Sequence, residues 1–400
     1  MISAFDKLNL PYGVTFILDR LSENGKEGYI VGGSVRDILR GKEPSDYDIT
    51  TDASPDELKA IFSDMKTVEI GISHGTLGVM VAGDLYEVTT FRIDGGYTDA
   101  RHPDSVEFTR NLSEDLSRRD FTVNAMAYNG RVGLVDLFSG LEDIKERKIR
   151  AVGDPVLRFS EDALRILRAL RFSSVLDFEI DKKTSAAIFE KAHLLSNVSR
   201  ERILEEWKKL IGGTRAYEVI SEYKEVFKSI FSGLNEISLP DRNVFLDSAP
   251  IVRELSIFAL SSPTPPESYV KAFTELRSDS KRIKFGKTVL CAFREKIFSR
   301  SDIKRLLSKM EIEEVEALLS LRELVSNRKE PYLAELSEIL LLGEPYSLKH
   351  LKISGADITA LGFSGEVIGK TLNYLLSLVI DGKCDNEREA LILKAKELFM

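Results

Sequence analysis

Tyr29-Ile30-Val31-Gly32-Gly33-Ser34-Val35-Arg36-Asp37 and, a short loop later, Asp46-Tyr47-Asp48 form the stretch on which the fold of this chain turns. An apolar run ending in two glycines reads as a short buried strand that enters a tight turn. Ser34 is the expected N-cap of a helix through Arg40, which Gly41 stops. Asp46 to Thr50 reads as a second strand, whose alternation puts Asp46 and Asp48 on one face. Carboxylates so placed can share divalent cations, and hard oxygen ligands suit Mg²⁺, which takes one or two of them together with substrate phosphates. The glycines let backbone N–H groups approach a phosphate at the start of a helix, where the dipole favours anions. Arg36 stands one turn in, within reach of a triphosphate. Each piece alone is weak, since Asp-x-Asp on a strand is most often a solvated edge. Their order is what makes them specific.

Working outward, the first third of the chain alternates strands and helices. Pro55 to Phe62 reads as a helix with Ser54 as N-cap and Pro55 at its first position. Thr76 to Val81 and Leu85 to Phe91 read as a hairpin around Gly83-Asp84. Glu87 on the second of these strands offers a third carboxylate, as a metal ligand, as a proton acceptor or as a plain exposed glutamate. Arg92 to Asp104 is polar and broken by glycine and proline, and is expected to be a mobile loop. After Leu141 the period becomes helical almost throughout. Helices are expected over 160–173, 182–194, 199–211, 215–232, 267–275, 302–309, 311–326, 333–341, 366–381 and 386–398, with a Pro/Ser-rich connector at 261–266. The fold class is therefore α+β: an α/β head, then an elongated all-α remainder.

Bulk properties exclude several classes. Four hundred residues are too many for one core, and 43% hydrophobic with 30% charged residues is ordinary globular composition. No apolar run approaches the ~18 residues that span a membrane. The first residues carry Asp6 and Lys7 instead of a basic segment followed by an apolar one, so no secretory signal is expected. Cys291 and Cys384 stand far apart in sequence, which fits free thiols in a cytoplasmic protein. The four histidines form no metal box. A net charge of −8 argues against a nucleic-acid binder, but residues 145–171 hold eight Lys/Arg against four Asp/Glu, which leaves room for a local basic face.

Further motifs follow in order. Arg118-Arg119-Asp120-Phe121-Thr122-Val123-Asn124-Ala125-Met126 comes second. Asp136-Leu137-Phe138-Ser139-Gly140-Leu141-Glu142-Asp143 is third, Glu161-Asp162-Ala163-Leu164-Arg165 with Arg168 and Arg171 is fourth, and Ser199-Arg200-Glu201-Arg202 with its helix is fifth. Together with the opening stretch, the set resembles the nucleotidyltransferase superfamily that includes DNA polymerase beta and, within it, the class II CCA-adding enzymes of bacteria. Residues 353–395 are also similar to that family's tail. The resemblance implies a nucleotidyltransferase head (1–140), a nucleotide-selecting helical neck (141–212), a helical body (213–300) and a tRNA-binding tail (301–400). It implies Mg²⁺ on Asp46 and Asp48, and nucleotide binding by Gly33, Arg36, Arg119, Asp162, Arg165, Arg168 and Arg171, with Asp120 near the sugar. The segment 92–104, with Gly95-Gly96 as hinge, corresponds to the loop that reshapes the family's pocket from C to A.

The fourth motif carries the base choice. A carboxylate only accepts hydrogen bonds and a guanidinium only donates. Cytosine and adenine each present an amino donor beside a ring-nitrogen acceptor, which Asp162 and Arg165 can meet. Guanine and uracil reverse both partners and leave polar groups unpaired. The implied reaction is attack by the 3′-hydroxyl of a tRNA acceptor end on the α-phosphate of CTP or ATP, releasing pyrophosphate. Alternatives are an A-only-adding enzyme, a poly(A) polymerase, or a catalytically inactive tRNA-binding protein. Whether the chain pairs with itself as a homodimer stays open. Trp207 and the Phe-rich stripes are expected in the core.

Overall fold

The computed structural model describes residues 8–71, 75–95 and 106–397. The chain divides into two compact units, Met1–Val226 and Phe227–Met400.

The first unit opens with α1 (Tyr12–Glu23), β1 (Gly28–Val31), α2 (Gly33–Leu39), β2 (Asp48–Thr51) and α3 (Pro55–Ile61). It continues through β3 (Thr67–Gly71), β4 (Thr76–Val81), β5 (Asp84–Thr90), β6 (Arg92–Asp94), β7 (Val106–Phe108) and α4 (Leu112–Ser117). Then come β8 (Met126–Asn129), β9 (Gly133–Asp136), α5 (Gly140–Glu146), β10 (Lys148–Ile149), α6 (Pro155–Glu161), α7 (Leu164–Leu176), β11 (Glu179–Ile180), α8 (Lys182–Lys191), α9 (Arg200–Ile211) and α10 (Ala216–Glu222). Seven strands form one sheet in the order β3-β4-β5-β2-β1-β8-β9. Within this sheet, among the described residues, only β2 and β5 pair in parallel, and their register sets Asp48 beside Glu87.

Apolar alternation decides which sheet face closes. Tyr29 and Val31 of β1 pack with Ala127 of β8, Phe91 and Leu116 of α4. α4 thereby covers one end of the face that carries Asp48, because Val31 stands opposite Asp48 on β1. The Ser54 cap holds as expected, with a capping box to Glu57. The β4–β5 turn has Ala82 and Gly83 both at positive φ, the backbone of a tight hairpin.

Several expectations are corrected. α2 begins two residues earlier than expected and is capped by Gly32; the Ser34 hydroxyl instead donates to the Val31 carbonyl at 3.0 Å. β2 begins at Asp48, so Asp46 lies in the loop before it and strand alternation is not what aligns the two carboxylates. Arg92–Asp94 is not loop but a strand paired with Val106–Phe108; of the expected hinge, Gly95 follows that strand, while Gly96 and the remainder of the loop through 104 lie outside the described residues. The helix expected over 160–173 is two helices broken at Asp162. Tyr223 likewise divides 215–232 into α10 and α11 (Lys224–Ile230).

Among the described residues the second unit is helical, with α12 (Arg242–Asp247), α13 (Pro250–Ser261), α14 (Pro265–Glu275), α15 (Ser280–Ala292), α16 (Arg300–Leu307), α17 (Ile312–Ser326), α18 (Tyr332–Leu341), α19 (Gly355–Ala360), α20 (Glu366–Ile380) and α21 (Arg388–Glu397). α12, α13, α15 and α19 were not among the expected helices. The Pro/Ser connector is shorter than expected because Pro265 and Pro266 start α14, where a missing N–H costs nothing. Trp207 is buried, as are Phe227, Phe231, Phe245, Phe258 and Phe273. No helix among the described residues is long and apolar enough to cross a membrane.

Candidate active site

Asp48 stands at the first residue of β2, between Val31 of β1 and Glu87 of β5. Asp46, Asp48 and Glu87 are all exposed at the open end of this sheet face. None of the three has a Lys or Arg at ion-pair distance among the described residues. The Asp48 carboxyl is pushed up by the protein mass packed around it and next by Asp46, with a smaller push from Glu87; Arg119 pulls the other way. Asp48 thus opens to solvent on one side while its other sides are crowded, and its negative neighbours leave it in need of a cation. Among the described residues no three His, Cys, Asp or Glu side chains are gathered at metal-binding spacing. The all-oxygen donor set is a pair with Glu87 adjacent, which fits a hard divalent ion that also takes phosphate oxygens.

A cleft of about 460 Å³ opens beside Asp46 and Asp48. Its floor is the glycine turn. Gly32 has φ +74°, and a Cβ there would stand 3.1 Å from a terminal nitrogen of Arg119, so a side chain would both strain the turn and push that guanidinium. Arg36 is nearly buried. It makes two bonds to the Asp37 carboxylate, at 2.9 and 2.8 Å, and donates to the Asn124 side-chain oxygen at 2.6 Å. Arg119 donates to Asp115 at 3.4 Å, and its Nε is buried without an acceptor. Asp115 is fully buried; burial alone would raise its carboxyl, but Arg118 and then Arg119 hold it below the usual carboxylate range.

The far wall is α7. Asp162 sits at the break before it, with extended backbone, and its Oδ1 accepts from the Leu164 N–H at 3.0 Å. An aspartate that caps the following turn competes with the helix backbone, which is why the helix ends and restarts here. The break turns Asp162 into the cleft beside Arg165 without an ion pair between them; its Oδ2 accepts from Arg202 at 3.4 Å. Arg165 donates to Glu161 at 2.7 Å and to the Arg118 carbonyl at 2.9 Å. Arg168 grips Asp120 through Nε at 2.8 Å and Nη2 at 2.6 Å. Arg171 donates to Glu206 at 2.5 Å.

All of Gly33, Arg36, Asp46, Asp48, Arg119, Asp120, Asp162, Arg165, Arg168 and Arg171 therefore line one cleft. Glu87 does not; it lines an adjoining cavity that shares Asp48. Asp120 is not open toward a sugar in this conformation, because Oδ1 accepts from the Phe121 N–H and from Asn124 while Oδ2 holds Arg168. Burial favours its neutral form, but Arg168 and then Asn124 outweigh that and keep its carboxyl below the ordinary range. Sequence reasoning missed Phe172, whose ring lies under the guanidinium carbons of Arg171 at 3.9 Å and of Arg36 and Arg168 at 5.3 Å each. It also missed Asn124, Glu206 and Asp115. Phe172 stands four residues after Arg168, a helical spacing that could have found it. Nothing local in the sequence ties Glu206 to Arg171.

Known proteins resemble this chain in sequence and fold. Residues 28–150 match the Poly A polymerase head domain, and residues 177–235 match the family described as the probable RNA and SrmB-binding site of polymerase A. The CCA-adding enzyme of Lactococcus lactis subsp. cremoris is 52% identical over 201 residues, a match spanning about half of this chain and half of that protein. The CCA-adding enzyme of Enterococcus faecalis is 35% identical over 395 residues, covering 95% of this chain and 94% of that one. The crystal structure of the Bacillus stearothermophilus CCA-adding enzyme in complex with CTP superposes with a TM-score of 0.76 at 29% identity, over 98% of each chain. Nucleotidyltransferases of this kind depend on a divalent metal. With near-full-length identity above a third and the same fold, this chain belongs to the CCA-adding enzyme family of tRNA nucleotidyltransferases.

Proposed function

We propose that this protein adds C, C and A from CTP and ATP to the 3′ end of tRNA, without a nucleic-acid template, using Mg²⁺ held by Asp46 and Asp48. The observation that carries the reading is a single cleft lined by a glycine turn, a carboxylate pair, and Asp162 with Arg165. The ion would lower the pKa of the acceptor hydroxyl and neutralise charge on the departing phosphates. Gly33, Arg36 and Arg119 hold the triphosphate, with Arg168 and Arg171 extending the basic wall. Asp162 accepts from the amino group of cytosine or adenine, and Arg165 donates to the ring nitrogen. Phe172 and the acids Asp120 and Glu206 keep Arg168 and Arg171 in orientation, so little reorganisation is needed when nucleotide binds.

In the step itself, a bond forms between the 3′-oxygen of the RNA and the α-phosphorus. The bond from that phosphorus to pyrophosphate breaks, and pyrophosphate leaves with the electron pair. The hydroxyl proton passes to the carboxylate side, where Glu87 is an acceptor at hand. Positioning supplies most of the rate.

The test uses three tRNA transcripts, ending before C-C-A, after C and after C-C, with labelled CTP or ATP. CTP addition to the first two and ATP addition to the third, all lost on chelation and restored by Mg²⁺, is the expected result. ATP addition to the third transcript alone would replace the reading by an A-only enzyme, and ATP addition to unstructured RNA would replace it by a poly(A) polymerase.

A further inference from the structure

The sheet face that carries Asp48 and Glu87 continues past them. Residues two apart along a strand share a face, so Thr50 follows Asp48 on β2 and Thr89 follows Glu87 on β5. On β4, Thr76 stands directly opposite Thr89, and their hydroxyl oxygens are 3.0 Å apart. The Thr50 hydroxyl is spent on the Thr89 carbonyl at 3.1 Å, which leaves Thr76 and Thr89 as the polar pair. These groups line a second cavity of about 210 Å³, whose wall also includes Arg92, Arg118 and Arg119. It shares Asp48, Arg118 and Arg119 with the larger cleft. Neither triphosphate binding nor base choice uses Thr76 or Thr89.

Displacement at phosphorus runs in line, with the attacking and leaving oxygens on opposite sides. With the triphosphate against the glycine turn, the acceptor hydroxyl must arrive from the other side of Asp48, and that side is the second cavity. We propose that this cavity receives the 3′-terminal ribose of the acceptor RNA, and that the Thr76–Thr89 hydroxyl pair reads its 2′-hydroxyl. The inference rests on the nucleotidyltransferase reading above and extends it to how RNA is told from DNA. Two hydroxyls that share one hydrogen bond retain one donor proton and several acceptor lone pairs. A 2′-hydroxyl both donates and accepts, so it satisfies the pair in either sense, whereas a deoxyribose carbon satisfies neither. Thr89 lies two residues from Glu87, about 7 Å along the strand, which spans a reacting 3′-hydroxyl, its 2′ neighbour and one hydrogen bond. Arg92, Arg118 and Arg119 bring guanidinium groups to the wall of that cavity, beside the carboxylates of Asp48 and Glu87.

The experiment compares two acceptor tRNAs that differ only in a ribose or a 2′-deoxyribose at the final nucleotide. The wild-type protein is expected to use the deoxy end about tenfold less well in kcat/KM. Thr76→Val with Thr89→Val, which keeps shape and removes both hydroxyls, brings the ratio near one and leaves the KM for CTP in place. Thr76→Ser keeps a hydroxyl and is expected to keep the preference. Equal use of both ends by the wild type overturns the assignment, as does a valine pair that still prefers ribose or a serine variant that does not. The wild-type comparison decides the matter even where the valine pair fails to fold. Absence of incorporation into either end would instead sink the transferase reading itself.

Discussion

The two walls of the cleft follow opposite electrostatic rules. On the sheet side, Asp46 and Asp48 face the cavity with no Lys or Arg at ion-pair distance among the described residues. On α7, Arg165, Arg168 and Arg171 hold Glu161, Asp120 and Glu206 in turn. Uncompensated carboxylates repel one another, and such a pair persists where a cation is to arrive with the substrate. A paired guanidinium keeps further N–H donors for a ligand while its orientation is fixed. On the proposed function, the difference assigns the unbalanced wall to the chemistry and the balanced wall to recognition.

Breaking the carboxylate wall should have the largest effect. Asp48→Ala or Asp46→Ala is expected to lower nucleotide incorporation by about a thousandfold or more, with nucleotide affinity changed far less. Labelled-CTP incorporation beside equilibrium CTP binding checks this; a variant that keeps a tenth of the rate would remove the metal assignment.

Next comes the recognition wall at its base-facing end. Asp162→Ala and Arg165→Ala should each erode the preference for CTP and ATP over GTP and UTP by about a hundredfold, since the polar mismatch that rejects the wrong bases disappears. Competition among the four nucleotides on one tRNA reads it out. Unchanged selectivity would mean that the base is read elsewhere. Glu206→Gln sharpens the comparison on a smaller scale, because it removes the charge that orients Arg171 from the neighbouring helix. The KM for nucleotide is expected to rise about tenfold with kcat less affected.

The smallest effect on activity is a pH dependence of stability. Asp120 has a folded-state pKa below its unfolded value of about 3.9. Its contribution is therefore present above that pH and lost as pH falls through the lower, folded value. Asp120→Asn should cost about 2 kcal/mol in urea unfolding near pH 7, and the gap to wild type should close below pH ~4. A gap that stays constant with pH would mean that the Asp120 charge contributes nothing to the fold.

Much of the site was legible because its signals are local. The glycines and Arg36 lie within five residues of one another, Asp46 and Asp48 within three, and Arg165, Arg168 and Arg171 on one helical face. The two-strand segment at 92–108 was not legible, since its partners are separated by residues of polar, loop-like composition. α13 escaped because Arg253, Glu254 and Ser256 are buried in it, so polar residues stand where an inward face is expected to be apolar.

By itself the sequence determined the mixed head and helical remainder through its periods, and the family and ten residues of the cleft through the resemblance that its ordered motifs carry. Only the tertiary structure decided which of those residues are paired. It brought Asp120 to Arg168 across 48 positions and Glu206 to Arg171 across 35. It set Asp162 in a break between two helices, and it aligned Asp48 with Glu87 through a parallel strand pair. Chain packing, which no local period encodes, turned a carboxylate motif and an arginine motif into opposite walls of one cavity.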